Sequence, residues 1–271
     1  MKSLVPLSEV SCLEKNKVYH ADVFDFLEKL DDNSIDLAVV DPPYNLKKGD
    51  WDTFKTEEAY FEFTFRWIDK LLPKLKINAS LYLFNTAYNS AIILNYLRNK
   101  EVKFKNWITW YKKDGFSSTK RKYVNTQETI LFFTKTDDYV FNCDDIRLPY
   151  ASTDRMAHAS KKGIIKNGKR WFPNENGKLC NDVWEITSQR HKEKENGKVR
   201  VLAHPTVKPR DMIERIIKAS SNESMMILDL FSGSGMTSKV AKQMNRNFIG
   251  CELNINYIQF IESEGLEIGR L

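Results

Sequence analysis

The amino-acid sequence predicts an α/β protein built on a doubly wound, mostly parallel sheet that carries a basic insertion. In the first third of the chain, short apolar runs alternate with amphipathic runs, which is the pattern of βαβ units. The pattern returns after residue 204, where a strand, a glycine-containing turn, a helix and another strand follow one another. With 271 residues, the chain can form one large α/β domain with a self-sufficient core.

Hydrophobic spacing identifies the elements of the first 150 residues. Apolar runs of strand length are KVYHAD, IDLAVVD, SLYLFN, NWITWYKK and ETILFFTK. Apolar residues at three- and four-residue spacing predict helices at VFDFLEKL, from Glu57 to about Lys76, and at NSAIILNYLRNK. Strands that alternate with helices in this way form parallel sheets covered on both faces.

The segment 151–203 differs in composition from the rest of the chain. Its apolar periodicity fades, and it holds 12 Lys and Arg against 6 Asp and Glu, so its surplus of +6 equals the net charge of the whole chain. Helix and strand patterns resume at VKPRDMIERIIKAS and SMMILDLF. We therefore predict one domain made of residues 1–150 and 204–271, interrupted by an insertion whose charge favours anionic partners.

The cysteines and apolar runs disfavour several classes of protein. Cys12, Cys143, Cys180 and Cys251 form no CxxC pair and have no histidine couple nearby, so neither a zinc site nor a disulfide framework is predicted. No stretch approaches the roughly 18 apolar residues that a membrane span requires. The N-terminus has no long apolar core. We expect a cytoplasmic protein without a metal site.

A glycine-spaced turn near the C-terminus predicts a site for a nucleoside-type cofactor. The turn SGSG follows a strand and precedes a helix that is expected to start near Thr237 or Ser238. The next strand, FIGCEL, ends at Glu252, whose carboxylate is suited to accept hydrogen bonds from both hydroxyls of a ribose. The turn lacks the glycine pattern of dinucleotide enzymes and the lysine of phosphate loops, so a ribose without a pyrophosphate fits better than NAD or ATP.

The tetrapeptide DPPY at 41–44 predicts a site for an aromatic amine. It follows an apolar strand, and the carboxyl ends of strands in a doubly wound sheet face the ligand crevice, which disfavours a chance turn. Asp41 and the carbonyl of Pro42 offer two acceptors to a group that carries two hydrogens. Tyr44 adds a flat face on which a planar ring can stack. Orienting the amine nitrogen toward an electrophile would activate an otherwise poor nucleophile.

These motifs resemble those of the DNA amino-methyltransferases that use S-adenosyl-L-methionine. DPPY looks like their catalytic motif, and DLFSGSGMT at 229–237 looks like their cofactor motif. In most methyltransferases the cofactor motif comes first, whereas here it begins 188 positions after Asp41. This order is similar to the circularly permuted β group, whose target-recognition region lies where the segment 151–203 lies. HPTVKP at 204–209 and HADVFDFL at 20–27 resemble two further cofactor elements.

The resemblance implies a fold of the S-adenosylmethionine-dependent methyltransferase type and a role for each matching residue. Asp22 would contact the cofactor adenine, Glu252 its ribose and Lys208 its carboxylate. The catalytic residues would be Asp41, Pro42, Pro43 and Tyr44. The cofactor-binding residues would be Asp22, Thr206, Lys208, Asp229, Phe231, Gly233, Ser234, Gly235 and Glu252.

The resemblance also implies a substrate. Aspartate at the first position of the tetrapeptide is similar to adenine-N6 enzymes, whereas cytosine-N4 enzymes more often carry serine there. The expected reaction is methylation of an adenine flipped out of double-stranded DNA, in restriction-modification or host marking. Cytosine-N4 methylation, an amine in RNA or in a glutamine side chain, and a catalytically silent DNA-binding module remain alternatives. A homodimer and a separately acting restriction endonuclease are further partners that the family suggests.

Two basic stretches, one at 110–125 and one in the insertion, are candidates for contacts with DNA phosphates. The alternative is that their charges form only a solvated surface. Trp171 and Trp184 are expected in the core, with replacement of the flipped base in the DNA stack as the alternative. The candidate DNA-binding residues are Lys112, Lys113, Lys120, Arg121, Lys122, Lys161, Lys162, Lys169, Arg170 and Arg190.

Overall fold

The computed structural model describes residues 13–113, 120–188, 192–195, 198–201 and 207–271. Its helices are α1 (Val23–Lys29), α2 (Glu57–Leu71), α3 (Ala87–Leu97), α4 (Thr153–Lys162), α5 (Arg210–Ser220), α6 (Met236–Gln243) and α7 (Ile255–Ser263). Its strands are β1 (Lys17–His20), β2 (Ile35–Val40), β3 (Leu75–Asn85), β4 (Lys103–Tyr111), β5 (Gln127–Thr134), β6 (Ile164–Lys166), β7 (Lys169–Trp171), β8 (Val183–Glu185), β9 (Lys192–Glu195), β10 (Lys198–Val201), β11 (Met226–Asp229), β12 (Asn247–Glu252) and β13 (Glu267–Arg270). Two short 3-10 helices span Asp50–Asp52 and Leu72–Lys74.

Within the described residues, the main sheet has nine strands in the order β13-β1-β12-β11-β2-β3-β5-β4-β8. Neighbouring strands from β13 to β3 are parallel. Strand β5 is antiparallel to both β3 and β4, and the edge strand β8 is parallel to β4. The prediction of a mostly parallel sheet is confirmed. Strand β2 lies directly beside β11, so two distant parts of the chain meet at the centre of the sheet.

Helices cover both faces of this sheet and create two apolar cores. One core contains Phe26 of α1, Trp67 of α2 and Ile93 of α3. The other contains Ile216 of α5 and Val240 of α6, together with side chains from the opposite sheet face. Fully burying a Val, Ile or Phe side chain contributes about 1.5–3 kcal/mol to the free energy of folding. The two cores therefore stabilise the packing of the helices on the sheet.

Local signals determine where several helices begin and end. The hydroxyl of Thr56 accepts a hydrogen bond from the N–H of Ala59 and thereby caps α2. Helix α2 was predicted to reach about Lys76, but it ends at Leu71. The reason is that Pro73 lies in the 3-10 turn that follows, and strand β3 begins directly after that turn.

Part of the basic segment 151–203 belongs to the main sheet. Strand β8 pairs with β4, and Trp184 of β8 is 5 % exposed and packs in the second core. The segment 151–203 therefore contributes a strand to the main sheet in addition to the exposed elements α4, β6 and β7. The prediction that Trp171 lies in the core is wrong, because its side chain is 61 % exposed on β7. Hairpin β6–β7 was not predicted, since its residues are exposed on both faces and show no apolar alternation.

The C-terminal part contains the glycine turn and two unpredicted elements. Helix α6 begins at Met236, before the predicted Thr237 or Ser238, because Gly235 forms its N-cap with φ of 71°. That φ lies in the left-handed region, which glycine adopts without strain. Helix α7 and strand β13 were not predicted; β13 pairs with β1 at the edge of the sheet, and α7 precedes it in the chain. Of the helices that the structure describes, none has the length and apolar character that crossing a membrane requires.

Candidate active site

The carboxyl ends of the central parallel strands meet around a cavity of about 230 Å³. The DPPY turn follows β2 and the glycine turn follows β11, and both line this cavity although they are remote in sequence. The sheet therefore brings the two motifs together by pairing β2 with β11. The predicted catalytic and cofactor residues that line the cavity are Asp22, Asp41, Pro42, Pro43, Tyr44, Lys208, Asp229, Phe231, Gly233, Ser234 and Glu252.

One predicted cofactor residue, Gly235, is placed differently. A Cβ atom added to Gly235 would meet the side chains of Ile261 and Leu266 at 3.0 and 3.3 Å, so this glycine faces the core instead of the cavity. Its structural role is to start α6. Thr206 lies outside the described residues.

The buried carboxylate of Asp52 holds the segment that follows DPPY. Its oxygens accept hydrogen bonds from four backbone N–H groups, and Asp52 itself is 1 % exposed. The side-chain amide of Asn89 also donates to the carbonyl of Tyr44, at 2.9 Å. These contacts fix the turn on both sides. The four donors to Asp52 are the N–H groups of Tyr44 at 2.6 Å, Asn45 at 2.8 Å, Leu46 at 3.0 Å and Lys48 at 3.2 Å.

Both carboxylate oxygens of Asp41 accept hydrogen bonds within the cavity. The hydroxyl of Tyr44 donates to Oδ1 at 2.7 Å, and Lys208 Nζ donates to Oδ2 at 2.7 Å. Glu128 of β5 lies on the other side, with its Oε2 3.5 Å from Lys208 Nζ and 3.4 Å from the Tyr44 hydroxyl. Its Oε1 accepts a hydrogen bond from Lys112 Nζ at 2.8 Å. Acidic and basic side chains therefore alternate in one connected cluster.

Burial and neighbouring charges set the protonation states in this cluster. Burial raises the pKa of Glu128, but the positive charges of Lys208 and Lys112 outweigh it and lower the pKa to about 2. Burial lowers the pKa of Lys208, but Asp41 and Glu128 outweigh it and raise the pKa above its usual value. Burial, and then the charges of Asp41 and Glu128, raise the pKa of Tyr44 well above its usual value. At neutral pH, Glu128 is ionised, Lys208 is protonated and Tyr44 is neutral.

The carboxylate of Glu252 ties the glycine turn to the end of β12. The N–H of Gly233 donates to Oε2 and the N–H of Asn254 donates to Oε1, each at 2.8 Å. Burial raises the pKa of Glu252, while these backbone hydrogen bonds lower it. Because each carboxylate oxygen has two lone pairs, Glu252 can accept further hydrogen bonds from two hydroxyls of a ligand.

Asp229 lies at the end of β11, beneath the glycine turn. Its Oδ1 accepts a hydrogen bond from the N–H of Phe231 at 3.2 Å. Burial raises the pKa of Asp229 to about 7, although hydrogen bonds from Thr237 and Phe231 lower it. The side chain is 5 % exposed, so its protonation is sensitive to what fills the cavity.

Several side chains of the site were missed in the sequence. Glu128 stands near the start of an otherwise apolar strand, and an acid at that place was the available signal. The polar loop after DPPY contains repeated aromatic residues, which was a second signal. The missed residues that line the cavity include Lys48, Trp51, Asp52, Phe54, Phe63, Glu128 and Tyr257.

The candidate DNA-binding residues have different environments. Lys112 was predicted to contact phosphate, but its side chain is 22 % exposed and its ammonium is paired with Glu128. Lys113 is more exposed and forms an ion pair with Glu185. Arg190 lies outside the described residues. The other described candidates are all exposed at the surface: Lys120, Arg121, Lys122, Lys161, Lys162, Lys169 and Arg170.

The cavity joins acceptors for an amine to a carboxylate suited to a ribose. At the carboxyl ends of a doubly wound sheet, this combination defines a group-transfer enzyme that brings a nucleoside-type cofactor to a planar amine. In the described part of the chain, no group of three or more His, Cys, Asp or Glu side chains could hold a metal ion.

Comparison with known proteins is consistent with this class. Residues 35–263 match the N6/N4 family of DNA methylases, and the chain belongs to that family. It is 57 % identical over 246 residues to the type II methyltransferase M1.MboII of Moraxella bovis, covering 91 % of this chain and 95 % of that protein. It is 33 % identical over 255 residues to the DNA adenine methyltransferase YhdJ of Escherichia coli K12, covering 91 % and 81 %. The chain is therefore a DNA methyltransferase.

Solved structures share the fold. The crystal structure of an M1.HpyAVI–SAM complex has a TM-score of 0.58 at 26 % identity, covering 92 % of this chain and 98 % of that one. The cytosine-N4-specific PvuII DNA methyltransferase has a TM-score of 0.68 at 17 % identity, covering 94 % and 88 %. At that identity the second likeness concerns the fold alone.

Proposed function

We propose that the protein transfers the methyl group of S-adenosyl-L-methionine to the N6 amine of adenine in double-stranded DNA, at a short specific site. The observation that carries the proposal is that Asp41, after β2, and Glu252, at the end of β12, line the same cavity. M1.MboII is a type II methyltransferase and YhdJ is a DNA adenine methyltransferase, which supports adenine as the target. The likeness to a type II enzyme supports a role in restriction-modification.

The cavity residues fit S-adenosyl-L-methionine. The buried carboxylate of Glu252 can accept hydrogen bonds from the two ribose hydroxyls. Because Gly233 has no side chain, its backbone can approach the cofactor closely. Phe231 and Asp22 line the same cavity and provide an apolar surface and an acceptor for the adenine of the cofactor. When bound, the cofactor supplies an electrophilic methyl group on a sulfonium sulfur. The likeness to the M1.HpyAVI–SAM complex supports the same cofactor.

Asp41 and Pro42 prepare the target amine. Each Asp41 oxygen keeps a lone pair beyond the one that binds Tyr44 or Lys208, and the Pro42 carbonyl is a second acceptor. Holding both N–H hydrogens directs the nitrogen lone pair toward the methyl carbon, which supplies orientation. The nitrogen would form its bond to the methyl carbon as the carbon–sulfur bond breaks and S-adenosyl-L-homocysteine leaves, and the nitrogen would then lose one proton. The Asp41 carboxylate takes this proton and releases it to water, since its side chain is 26 % exposed.

The target adenine must leave the base stack before it can reach Asp41. Flipping costs a few kcal/mol, and the ring of Tyr44 at the cavity wall offers a stacking surface that offsets part of this cost. The exposed basic residues around 120–122 and in α4 and β7 are the proposed phosphate contacts. A homodimer, a separately acting restriction endonuclease and a cytoplasmic location complete the proposal.

Nucleoside analysis of methylated DNA tests this function. Purified protein is incubated with S-adenosyl-L-methionine and unmethylated duplex DNA, the DNA is digested to nucleosides, and the products are identified by mass. We expect N6-methyladenine. N4-methylcytosine, or methylation of RNA alone, would contradict the proposal.

The Asp41→Asn variant, which keeps the shape of the side chain but weakens it as a hydrogen-bond acceptor, should lose methyl transfer by at least about 10²-fold while it still binds the cofactor.

A further inference from the structure

A largely buried cluster of charges includes the Asp41 carboxylate, which is proposed to hold the amine. It consists of Asp41, Lys208, Glu128 and Lys112, connected by Nζ to carboxylate distances of 2.7, 3.5 and 2.8 Å in that order. The side chains of Lys208 and Glu128 are 9 % and 15 % exposed. Two carboxylates and two ammonium groups balance one another, so the cluster can remain ionised in a site from which water is largely excluded.

Lys208 lies on the amine side of the cavity. Its ammonium donates to Asp41 and lies 5.2 Å from the centre of the Tyr44 ring and 5.4 Å from that of Phe84. Glu252 and Gly233, which form the proposed ribose site, are bonded to each other. The contacts of Lys208 therefore place its ammonium beside the proposed amine site, where a carboxylate already accepts a hydrogen bond from it.

Glu128 determines where the Lys208 ammonium sits. Strand β5 is separated from β2 by β3, and Glu128 reaches the Lys208 ammonium and the Tyr44 hydroxyl from β5. The ammonium is therefore paired with two negative charges, at 2.7 Å from Asp41 and 3.5 Å from Glu128. Lys112 donates a hydrogen bond to the other oxygen of Glu128, and its positive charge offsets part of the repulsion between the two carboxylates.

We propose that Lys208 and Glu128 are positioning residues for methyl transfer, and that Lys208 is the counter-ion of Asp41 and not a ligand of the cofactor carboxylate. Glu128 keeps Lys208 against Oδ2, and Tyr44 occupies Oδ1, so the plane of the Asp41 carboxylate is fixed while its remaining lone pairs face the amine. Because a small displacement of an orienting group can lower a rate by on the order of 10²-fold, the effect should appear in the transfer step. This inference rests on the proposed function.

Ligand binding distinguishes the two roles of Lys208. We compare the Kd of S-adenosyl-L-methionine with that of its decarboxylated form, which keeps the sulfonium and lacks only the carboxylate. In Lys208→Met, the ratio of the two Kd values should stay as in the wild type. A ratio that falls toward one would show that Lys208 binds the cofactor carboxylate, and it would overturn the proposal.

Single-turnover rates test the positioning role. Lys208→Met and Glu128→Gln should each lower the methylation rate on the order of 10²-fold with little change in cofactor Kd. Lys208→Arg keeps the charge and should recover part of the rate. Unchanged rates in Lys208→Met or Glu128→Gln would contradict the proposal. Should Lys208→Met not fold, Glu128→Gln and Lys208→Arg carry the same comparison.

A matched control is the ion pair at the start of β2, the strand whose other end leads to Asp41. Lys76 forms an ion pair with Asp36, whose side chain is 9 % exposed, near the start of β2. Lys76→Met should leave both the Kd ratio and the rate unchanged. The wild-type protein separates this inference from the proposed function. If the wild type methylates no adenine, the proposed function is refuted. If the wild type methylates adenine, its rate is the reference for the variants.

Discussion

Asp52 shows how a single residue can fix the geometry of a turn. Backbone N–H groups that converge on one point form a site for an anion, and here the anion is a side chain of the same loop. Four N–H groups donate to the Asp52 carboxylate. The turn that carries Tyr44 is therefore ordered before any ligand binds.

Replacing this carboxylate should be costly. In Asp52→Asn, an amide NH₂ group replaces one acceptor and faces N–H donors, so buried groups lose their partners. We expect the free energy of unfolding to fall by about 2–4 kcal/mol, measured by urea denaturation. Asp50→Asn is the matched control, because Asp50 lies in the same 3-10 turn but is exposed. Equal losses in both variants would contradict the role assigned to Asp52.

Between elements, the contact of β12 with the glycine turn depends on the absence of a side chain. A Cβ atom on Gly250 would lie 2.6 Å from Ser232 Oγ and 2.8 Å from the carbonyl oxygen of Asp229. Strand β12 cannot move away, since it is paired on both sides with β1 and β11. The turn and the strand that ends at Glu252 are therefore packed as one unit.

Gly250→Ala should disturb this unit. We expect a loss of about 1–3 kcal/mol in the free energy of unfolding and weaker cofactor binding, measured by denaturation and by calorimetric titration. Adding Ser232→Ala removes one of the two close approaches, so the double variant should regain part of the stability. No recovery in the double variant would point away from the Ser232 contact.

The end of β11 should make stability depend on pH. Burial raises the pKa of Asp229 from 3.8 to about 7, so between these values the folded state holds a proton that the unfolded state has lost. The contribution of Asp229 to stability is then fully present below pH 3.8 and declines as the pH rises toward 7. Asp229→Asn carries no titrating group and should not show this decline.

The measurement is the difference in unfolding free energy between Asp229→Asn and the wild type across the pH range. Subtraction removes the titration of all other groups. The difference should increase in favour of the variant as the pH rises to about 7 and then level off. A difference that does not change with pH would contradict the raised pKa of Asp229.

At the scale of the whole molecule, charge is distributed unevenly. The chain has a net charge of +6, and the segment 151–203 has a surplus of the same size. Lys161, Lys162 and Lys169 of this segment are exposed on α4 and β7. Their charges would add to DNA affinity by releasing counterions from phosphates.

Replacing these three lysines by glutamine should weaken DNA binding and its salt dependence. The slope of log K against log salt should become shallower by about 0.9 for each phosphate that the variant no longer neutralises, as measured by fluorescence anisotropy at several salt concentrations. Lys70→Gln with Lys74→Gln is the control, because these lysines are paired with Glu28 and Asp32. The control should leave the slope unchanged, and a slope that is also unchanged in the triple variant would refute the proposed phosphate binding.

Strands with apolar runs were predictable because burial on both faces leaves a clear pattern, as in IDLAVVD of β2. Exposed hairpin β6–β7 has no such pattern, and its side chains contribute little to any core. The end of α2 was misplaced because the apolar spacing continues through Pro73 into β3. The proline therefore determines where α2 ends, although the apolar spacing continues beyond it.

The site was predictable where its residues are consecutive in the chain. DPPY and the glycine turn are contiguous motifs, and each follows a strand at the edge that lines the cavity. The Glu128–Lys208 ion pair joins positions that only sheet pairing and helix packing bring together. Nothing in the residues around either position indicates that pairing, so it became visible only in the folded chain.

The pairing of β2 with β11 has a consequence for biosynthesis. As the nascent chain leaves the ribosome, β2 emerges early, but its neighbour β11 (Met226–Asp229) emerges only when most of the 271 residues have been made. Until then the strand that leads to Asp41 presents an unpaired apolar edge, which is the kind of surface that chaperones protect from aggregation. Enzymatic competence therefore cannot arise before β11 has been synthesised, and a product terminated before that strand has no means of modifying a genome.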